Sequence, residues 1–180
     1  MAERSRLRTS IHIAVFAALI AVCAQIIIPA AIPFTMQTFG IFFAAACLGG
    51  KNGLLAFLVY LGLGIVGIPV FSGFGSGIGI LFGPTGGYLL GYLAADLFLW
   101  SIEKRWKKGH FQLIVSLIAA QILCYACGTI WYMFIYAARS HISLLSALST
   151  CVLPFILPDL AKILMIYPIK KQFDKARLFH

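Results

Sequence analysis

Six apolar runs, separated by short polar or charged segments, divide the chain. They cover residues 10–28, 38–48, 53–68, 84–101, 111–138 and 144–167. A helix needs about 20 largely apolar residues to cross a bilayer, and most of these runs approach or reach that length. The pattern therefore predicts six transmembrane helices.

Prolines and short connections set the expected ends of these helices. The first helix is expected to end before Pro29, and Pro84 is expected at the first helical position of the fourth. The second and third runs are short and are separated only by residues 49–52, which indicates tilt, re-entry or local thinning of the bilayer. Pro154 and Pro158 predict a kinked or irregular start of the sixth helix.

Composition agrees with a lipid-solvated fold. Hydrophobic side chains make up 62% of the 180 residues, charged ones only 11%, and the mean hydropathy is +0.99. The basic start and first apolar run resemble a secretion signal, but no cleavage site followed by a soluble domain is evident, so we interpret this run as a retained helix. We expect residues 1–180 to form one domain, an all-α membrane protein with six transmembrane helices in a compact bundle.

The positions of the basic residues predict the orientation of the bundle. If six spans alternate, twelve of the fourteen basic residues lie on one side, Arg139 lies on the other, and Lys162 lies inside a span. The twelve are Arg4, Arg6, Arg8, Lys51, Lys104, Arg105, Lys107, Lys108, Lys170, Lys171, Lys175 and Arg177. The positive-inside rule then places both termini in the cytoplasm, and a formal net charge of +9 needs no nucleic-acid partner to explain it.

An uncharged segment rich in glycine and aromatics, residues 69–83, joins the third and fourth runs on the predicted outer side. A flexible interfacial loop is one interpretation. The other is a lid whose backbone amides and apolar rings close over a ligand, and it is favoured because a merely solvated loop would be expected to carry polar or charged residues. The candidate ligand contacts in it are Phe74, Gly75, Ser76 and Gly79.

Charged residues inside a membrane are costly and require an explanation. Asp159 and Lys162 are three residues apart, so both side chains lie on one helical face and can form a pair. The pair could be a purely structural salt bridge, but an acid and a base near prolines also offer an acceptor and a donor to a polar ligand, which we favour. Asp96 is expected near the cytoplasmic interface, where a lysine or polar neighbour could meet it, and we interpret it as structural.

Two further sets of residues suggest contacts with a ligand or with another membrane subunit. Gln37 lies on the same predicted outer side, and its amide can both donate and accept hydrogen bonds, which suits a ligand with a urea-like or amide-like group. Thr35 and Thr38 could contribute there or could cap the next helix. In the first helix, small residues repeat at four-residue spacing and could serve either internal packing or docking of another membrane subunit. These residues are Ala14, Ala17, Ala18 and Ala21.

The sequence contains no motif for several kinds of chemistry. The five cysteines all lie within apolar runs and are interpreted as packing residues, including Cys124 and Cys127 of the C-A-Y-C sequence. The four histidines have no ligand-like spacing, and there is no ATP-binding G-x-x-x-x-G-K sequence, serine-protease elbow or H-E-x-x-H motif. We therefore expect no enzymatic activity, no metal and no cofactor.

Three stretches resemble one family. They are G-I-P-V-F at 67–71 leading to G-P-T-G-G-Y-L at 83–89, P-F-T-M-Q-T at 33–38, and P-D-L-A-K at 158–162. Together with Tyr125, Gly128 and Trp131, they resemble BioY, the biotin-specific substrate-binding (S) component of energy-coupling factor (ECF) transporters, over nearly the whole chain.

The resemblance implies an outward-facing ligand pocket and a six-helix vitamin-binding subunit. Its implied partners are a transmembrane coupling protein and two cytoplasmic ATPase subunits, with the small-residue face of the first helix used for docking. It also implies that Asp159 and Lys162 contact the ureido end of biotin, and that the loop around Phe74 to Gly79 and the start of the fourth helix, with Tyr88, complete the pocket.

The resulting hypothesis is capture of biotin from outside the cell without any chemical change. An S component for another vitamin, such as thiamine or riboflavin, is the nearest alternative. An intramembrane enzyme acting on lipid would need a nucleophile or metal cluster, and a purely structural scaffold would bind no saturable ligand.

Overall fold

The computed structural model describes residues 2–28, 34–106, 109–137 and 143–175, and these are almost entirely helical. The helices are α1 Ala2–Gln25, α2 Gln37–Leu48, α3 Gly50–Val66, α4 Gly86–Ser101, α5 Glu103–Trp106, α6 His110–Ala137, α7 Leu144–Cys151 and α8 Leu153–Lys175. A two-stranded antiparallel ribbon, β1 Ile27–Ile28 and β2 Phe34–Thr35, lies between α1 and α2.

Several predicted helix boundaries are wrong. Helix α1 begins at Ala2 rather than at residue 10, and α8 continues to Lys175 rather than ending at residue 167. The first helix ends at Gln25 rather than at residue 28, because Ile27 and Ile28 instead pair with Thr35 and Phe34 in the ribbon. Pro84 is not at the first helical position of the fourth helix, which begins two residues later at Gly86. The second and fifth runs match α2 and α6 to within one residue at every described end, and residue 138 lies outside the described residues. Helix α3 begins three residues before the third run and ends two residues before the run does.

The predicted irregular start of the sixth run is confirmed. The run consists of α7 and α8, which are bent by 41° relative to each other. The break falls at Val152, just before Pro154, and Pro158 is accommodated inside α8. The bend brings the end of α7 and the first turns of α8 to the same end of the bundle.

Short helix α2 lies in the interior of the bundle. Nine of its twelve residues are buried, and Gly53 of α3 approaches the backbone of Ala45 so closely that a side chain at position 53 would collide with it. Twelve residues span about 18 Å, whereas the hydrocarbon core of a bilayer is about 30 Å thick. Because neighbouring helices surround α2, its length is compatible with a position within the membrane-embedded bundle.

Length and apolar composition qualify two described stretches, Arg6–Gln25 and Phe111–Ile135, as candidate membrane spans. The bent pair α7 and α8 adds a third if it forms one span, while Gln37–Leu48 and Gly50–Val66 are shorter apolar helices. The count of six spans remains a prediction.

Asp96 corrects an expectation from the sequence. Its side chain is fully buried, on the same face of α4 as Tyr92 and Leu99, and neither carboxylate oxygen has a hydrogen-bond partner within the described residues. It lies more than one turn inside the end of α4, and no described lysine or polar side chain meets it there as expected.

Candidate functional site

A cavity of about 520 Å³ opens at the end of the bundle where α1 and α3 end and α2 and α4 begin. That volume is within the range of about 300–1,000 Å³ typical of small-molecule sites. Its lining is mainly aromatic and apolar, with a few polar side chains. The lining residues are Phe34, Thr35, Gln37, Thr38, Tyr60, Phe71, Ser72, Ile80, Pro84, Thr85, Tyr88, Leu89, Tyr92, Gln121, Tyr125, Tyr132, Thr150, Cys151, Phe155, Asp159 and Lys162.

The predicted acid–base pair lies in the wall of this cavity. Lys162 Nζ is 2.7 Å from Asp159 Oδ1, and both residues are at least 95% buried. Their spacing of three residues places both side chains on the inward face of α8, as expected from the sequence. The two opposite charges compensate each other where water is largely excluded.

Asp159 is the centre of a polar network that extends to α6. Its other oxygen, Oδ2, accepts hydrogen bonds from Gln121 Nε2 at 2.9 Å and from the Tyr125 hydroxyl at 2.6 Å. A carboxylate has about four lone-pair sites, and these residues with Lys162 occupy three of them. Among the described residues, one acceptor site on Oδ1 therefore has no donor.

Lys162 connects α8 to the ribbon between α1 and α2. Its ammonium donates to the Thr35 carbonyl at 2.7 Å and lies 4.9 Å from the centre of the Phe34 ring. Since an ammonium has three N–H groups, the Asp159 and Thr35 bonds leave one N–H without an acceptor among the described residues. The site thus combines a remaining donor with a remaining acceptor a few ångströms apart.

Other hydroxyl and amide groups extend the polar strip along the cavity wall. Gln37 donates to the Tyr60 hydroxyl at 3.1 Å, and the Thr38 and Tyr92 hydroxyls lie 2.7 Å apart. Tyr88 donates to the Cys151 carbonyl at 2.8 Å, which ties α4 to the end of α7. Gln37, Thr35 and Tyr88 therefore line the cavity together with the acid–base pair.

The interpretation of Thr35 and Thr38 as caps of α2 is correct in part. The Thr35 hydroxyl accepts from the backbone N–H of Gln37 at 3.3 Å, at the start of α2, so Thr35 has a structural role as well as a place in the wall. Thr38 instead directs its hydroxyl to Tyr92. The residue preceding α2 is Met36, which offers no side-chain cap.

The segment 69–83 lies beside the cavity but uses other residues than those predicted. It contains two short 3-10 helices, Ser72–Phe74 and Ile78–Phe82. Its contributions to the lining are Phe71, Ser72 and Ile80. The structure does not bring the predicted contacts Phe74, Gly75, Ser76 and Gly79 to the wall, and the Phe74 side chain is 70% exposed on the opposite side of the turn.

The small-residue repeat of α1 separates into two parts. Ala14 and Ala18 are exposed and Ala21 is half-buried, so these three form an outward face of α1. Ala17 is only 2% exposed and packs within the bundle, which removes it from the predicted docking face. Ala17 lies at one edge of the arc of about 100° that these four positions cover, on the side of the buried Ile20.

Several lining residues were missed by the sequence reasoning. Tyr60 and Tyr92 look like ordinary aromatic core residues in apolar runs, and only the fold places their hydroxyls at the cavity. Gln121 carried a usable signal, because an amide inside an apolar run lies one turn before Tyr125 on the same helical face.

The cysteines and other possible metal ligands form no site in the described part of the chain. Cys23, Cys124 and Cys151 are buried free thiols, in agreement with a packing role. No group of three or more histidine, cysteine, aspartate or glutamate side chains lies close enough together there to hold a metal ion.

Known proteins resemble this chain in sequence and in structure. The model of the BioY family matches residues 1–178. The chain is 36% identical to the biotin transporter BioY of Thermotoga maritima, covering 96% of this chain and 99% of that one. It is 34% identical to the biotin transporter BioY2 of Lactococcus lactis, covering 91% and 88%.

A solved structure provides an independent comparison. The crystal structure of the S-component for biotin from an ECF-type ABC transporter superposes with a TM-score of 0.83 at 26% identity, covering 97% of this chain and 95% of that one. The superposition confirms the compact helical membrane bundle, and the sequence matches confirm the resemblance found in the three motifs. The chain belongs to the BioY family.

Proposed function

We propose that this protein takes up biotin, as the substrate-binding subunit of an ECF-type ABC transporter. The observation that carries the proposal is the remaining donor and acceptor of the Lys162–Asp159 pair inside an otherwise aromatic cavity. A urea carries N–H groups beside a carbonyl, and that pattern matches a carboxylate acceptor beside an ammonium donor. Family membership and the names of the relatives support the same ligand.

The remainder of the cavity suits the rest of a biotin molecule. Aromatic rings from several parts of the chain, including Phe34, Tyr60, Phe71 and Phe155, provide apolar surface for a fused bicyclic ring and an aliphatic chain. Burial of apolar surface favours binding, whereas dehydrating the urea opposes it unless each polar atom finds a partner. An unmet buried donor or acceptor costs about 1–3 kcal/mol, so the polar partners decide the selectivity.

Binding of this kind makes and breaks no covalent bond. The proposed cycle is capture of biotin at the open end of the bundle, closure of the segment 69–83, and transfer through partner subunits that hydrolyse ATP. BioY proteins are transporter S components and not enzymes. This chain has no ATP-binding motif, so in the proposed cycle the partner subunits supply any energy that transport needs.

The distribution of charge supports a cavity that faces outward. The described basic residues of the termini and connections lie at the end of the bundle opposite the cavity, at the starts of α1 and α3 and the ends of α4 and α8. With that end in the cytoplasm, the positive-inside rule is satisfied and both chain ends are cytoplasmic. We place the protein in the cytoplasmic membrane on this ground.

The exposed alanines of α1 support docking to a transmembrane coupling protein. Ala14 and Ala18 are one turn apart and exposed, so another helix could approach the α1 backbone closely there. We propose this face as the contact with the coupling protein, which would connect the subunit to two cytoplasmic ATPases.

A displacement panel tests the proposed ligand. Purified protein in detergent is loaded with radiolabelled biotin and challenged with excess unlabelled biotin, thiamine or riboflavin. We expect displacement by biotin alone, and riboflavin is the most demanding competitor because its ring system also carries a urea-like N–H and carbonyl. Displacement by thiamine or riboflavin at similar concentrations, or no saturable loading, would contradict the proposal.

A further inference from the structure

The last residue of α1, Gln25, binds the start of the segment 69–83 through its whole side-chain amide. Gln25 Nε2 donates to the Val70 carbonyl at 3.1 Å and to the Phe71 carbonyl at 2.9 Å. Gln25 Oε1 accepts from the backbone N–H of Phe74 at 2.9 Å. The backbone partners fix the orientation of the amide, since carbonyl oxygens can only accept and an N–H can only donate.

The turn bound by Gln25 has an unfavourable backbone conformation. Residues 71–75 form a tight turn in which the Phe71 N–H donates to the Gly75 carbonyl at 3.0 Å. Gly73 and Phe74 both have positive φ angles, of 66° and 58°. Glycine adopts such angles readily, but phenylalanine does so at a cost, so Phe74 requires compensating contacts such as the bond to Gln25.

This turn determines where the Phe71 ring lies. The ring is only 2% exposed, lines the cavity and packs edge-on against Tyr60, with ring centres 5.6 Å apart. It lies directly against Gly64 of α3, where a Cβ would overlap the ring. The exposed Phe74 points away from the bundle, so the turn separates one inward ring from one outward ring.

Two further hydrogen bonds to described residues hold other parts of the segment 69–83. The Gly77 N–H donates to the Gly64 carbonyl at 2.7 Å, and Trp131 Nε1 donates to the Gly83 carbonyl at 3.0 Å. These hold the middle and the end of the segment. Gln25 holds its start, where Phe71 enters the cavity.

We propose that Gln25 is a positioning residue for ligand capture, whose side chain holds the turn 71–75 so that Phe71 closes the cavity over the bound ligand. Neutral hydrogen bonds of this kind contribute modestly in net terms, so they can hold the turn and still break when the ligand enters or leaves. The inference rests on the proposed function, because retention of the ligand is measured with biotin.

The experiment compares Gln25→Ala and Gln25→Met with Gln172→Ala as the matched control. Methionine preserves the volume of glutamine but makes none of the three hydrogen bonds, and Gln172 is an exposed helical glutamine far along α8. Two quantities are measured in detergent: amide hydrogen exchange of residues 70–75 without ligand, and the dissociation rate of radiolabelled biotin after a chase.

We expect both Gln25 variants to exchange at least tenfold faster at residues 70–75 and to release biotin at least tenfold faster. The association rate and the exchange of α8 should match the wild type, and Gln172→Ala should change neither quantity. Unchanged exchange in the Gln25 variants, or faster exchange with an unchanged dissociation rate, would overturn the proposal. Loss of the whole bundle in both variants would assign Gln25 to folding and would overturn it as well.

Failure of the proposed function has a separate signature. If the wild type shows no saturable biotin binding, the ligand assignment is wrong. The exchange measurement still decides whether Gln25 holds the turn, because it requires no ligand.

Discussion

Lys162 Nζ lies 2.7 Å from the carbonyl oxygen of Thr35, a residue 127 positions earlier in the chain. The same ammonium is 2.7 Å from Asp159, so one cation joins α8 to the ribbon that follows α1. Removing a buried ion-pair partner leaves an uncompensated charge, whereas an intact pair with further hydrogen bonds is tolerated. The pair therefore fixes the cavity wall, and in the proposed function it also presents polar atoms to the ligand.

Tyr125→Phe tests the network around Asp159. The change removes the hydroxyl that donates to Asp159 Oδ2 at 2.6 Å and leaves the ring in place. A hydrogen bond to a charged group contributes about 1.5–3 kcal/mol, and since Asp159 keeps its bonds to Gln121 and Lys162, we expect biotin affinity to fall only about three- to tenfold. Isothermal titration calorimetry measures the affinity of each protein for biotin.

The control for this change is Tyr167→Phe, which alters a tyrosine of α8 outside the cavity lining and should leave affinity unchanged. Equal affinities for Tyr125→Phe and the wild type would mean that the hydroxyl does not orient Asp159 for the ligand.

Gly64→Ala tests the packing of the Phe71 ring against Gly64. A Cβ at position 64 would overlap the ring, so the ring must move away from Tyr60 and the cavity. We expect faster biotin release than from the wild type, measured by radioligand chase, despite the better helix propensity of alanine.

Gly62→Ala is the matched control in the same helix, because nothing lies within 4 Å of a Cβ built there. It should keep the wild-type release rate and could stabilise α3 by up to about 1 kcal/mol. If both substitutions behave alike, the contact between Phe71 and Gly64 has no part in retention.

Replacing both Ala14 and Ala18 with tryptophan tests the docking face. Both side chains are exposed and far from the cavity lining, so the bundle should fold and bind biotin normally. The bulk should prevent close approach of a partner helix and abolish both uptake in cells and co-purification with the coupling protein.

Ile130→Trp, at a 68% exposed position of α6, serves as the control for added bulk and should leave uptake intact. Normal co-purification of the doubly substituted protein with its partners would refute docking at this face. Ala17→Trp should behave differently from both, because overpacking a buried site destabilises the bundle itself.

The acid–base pair was predictable because its signal is local. Two opposite charges three residues apart in an apolar run must share a helical face, and the cost of burying them directs that face inward. The same local logic placed α2, α3 and α6 and the bend between α7 and α8. It failed at Ile27 and Ile28, where pairing with a distant strand overrode a continuing apolar pattern.

The remaining parts of the site depend on tertiary contacts that no local pattern encodes. Phe71 and Phe74 lie three residues apart in one uncharged segment, yet one is buried in the cavity and the other is exposed. The positive φ angles of the turn separate them, and those angles are stabilised by Gln25 from another helix. Asp96 likewise became fully buried through the packing of α4, which a count of residues from the nearest lysine could not reveal.

The most direct test of biotin recognition by the acid–base pair is equilibrium binding of radiolabelled biotin to the wild type, Asp159→Asn and Asp174→Asn. Asp174 forms a comparable pair with Lys170 at the exposed end of α8, so it controls for the loss of a carboxylate. Asparagine at position 159 removes the negative charge that compensates Lys162. Its amide N–H₂ group must then either face the donors Gln121, Tyr125 and Lys162 or point toward the ligand, where it replaces an acceptor with a donor.

We predict saturable binding to the wild type and to Asp174→Asn, with affinity at least about tenfold weaker for Asp159→Asn. Equal affinity of all three proteins for biotin would contradict the account.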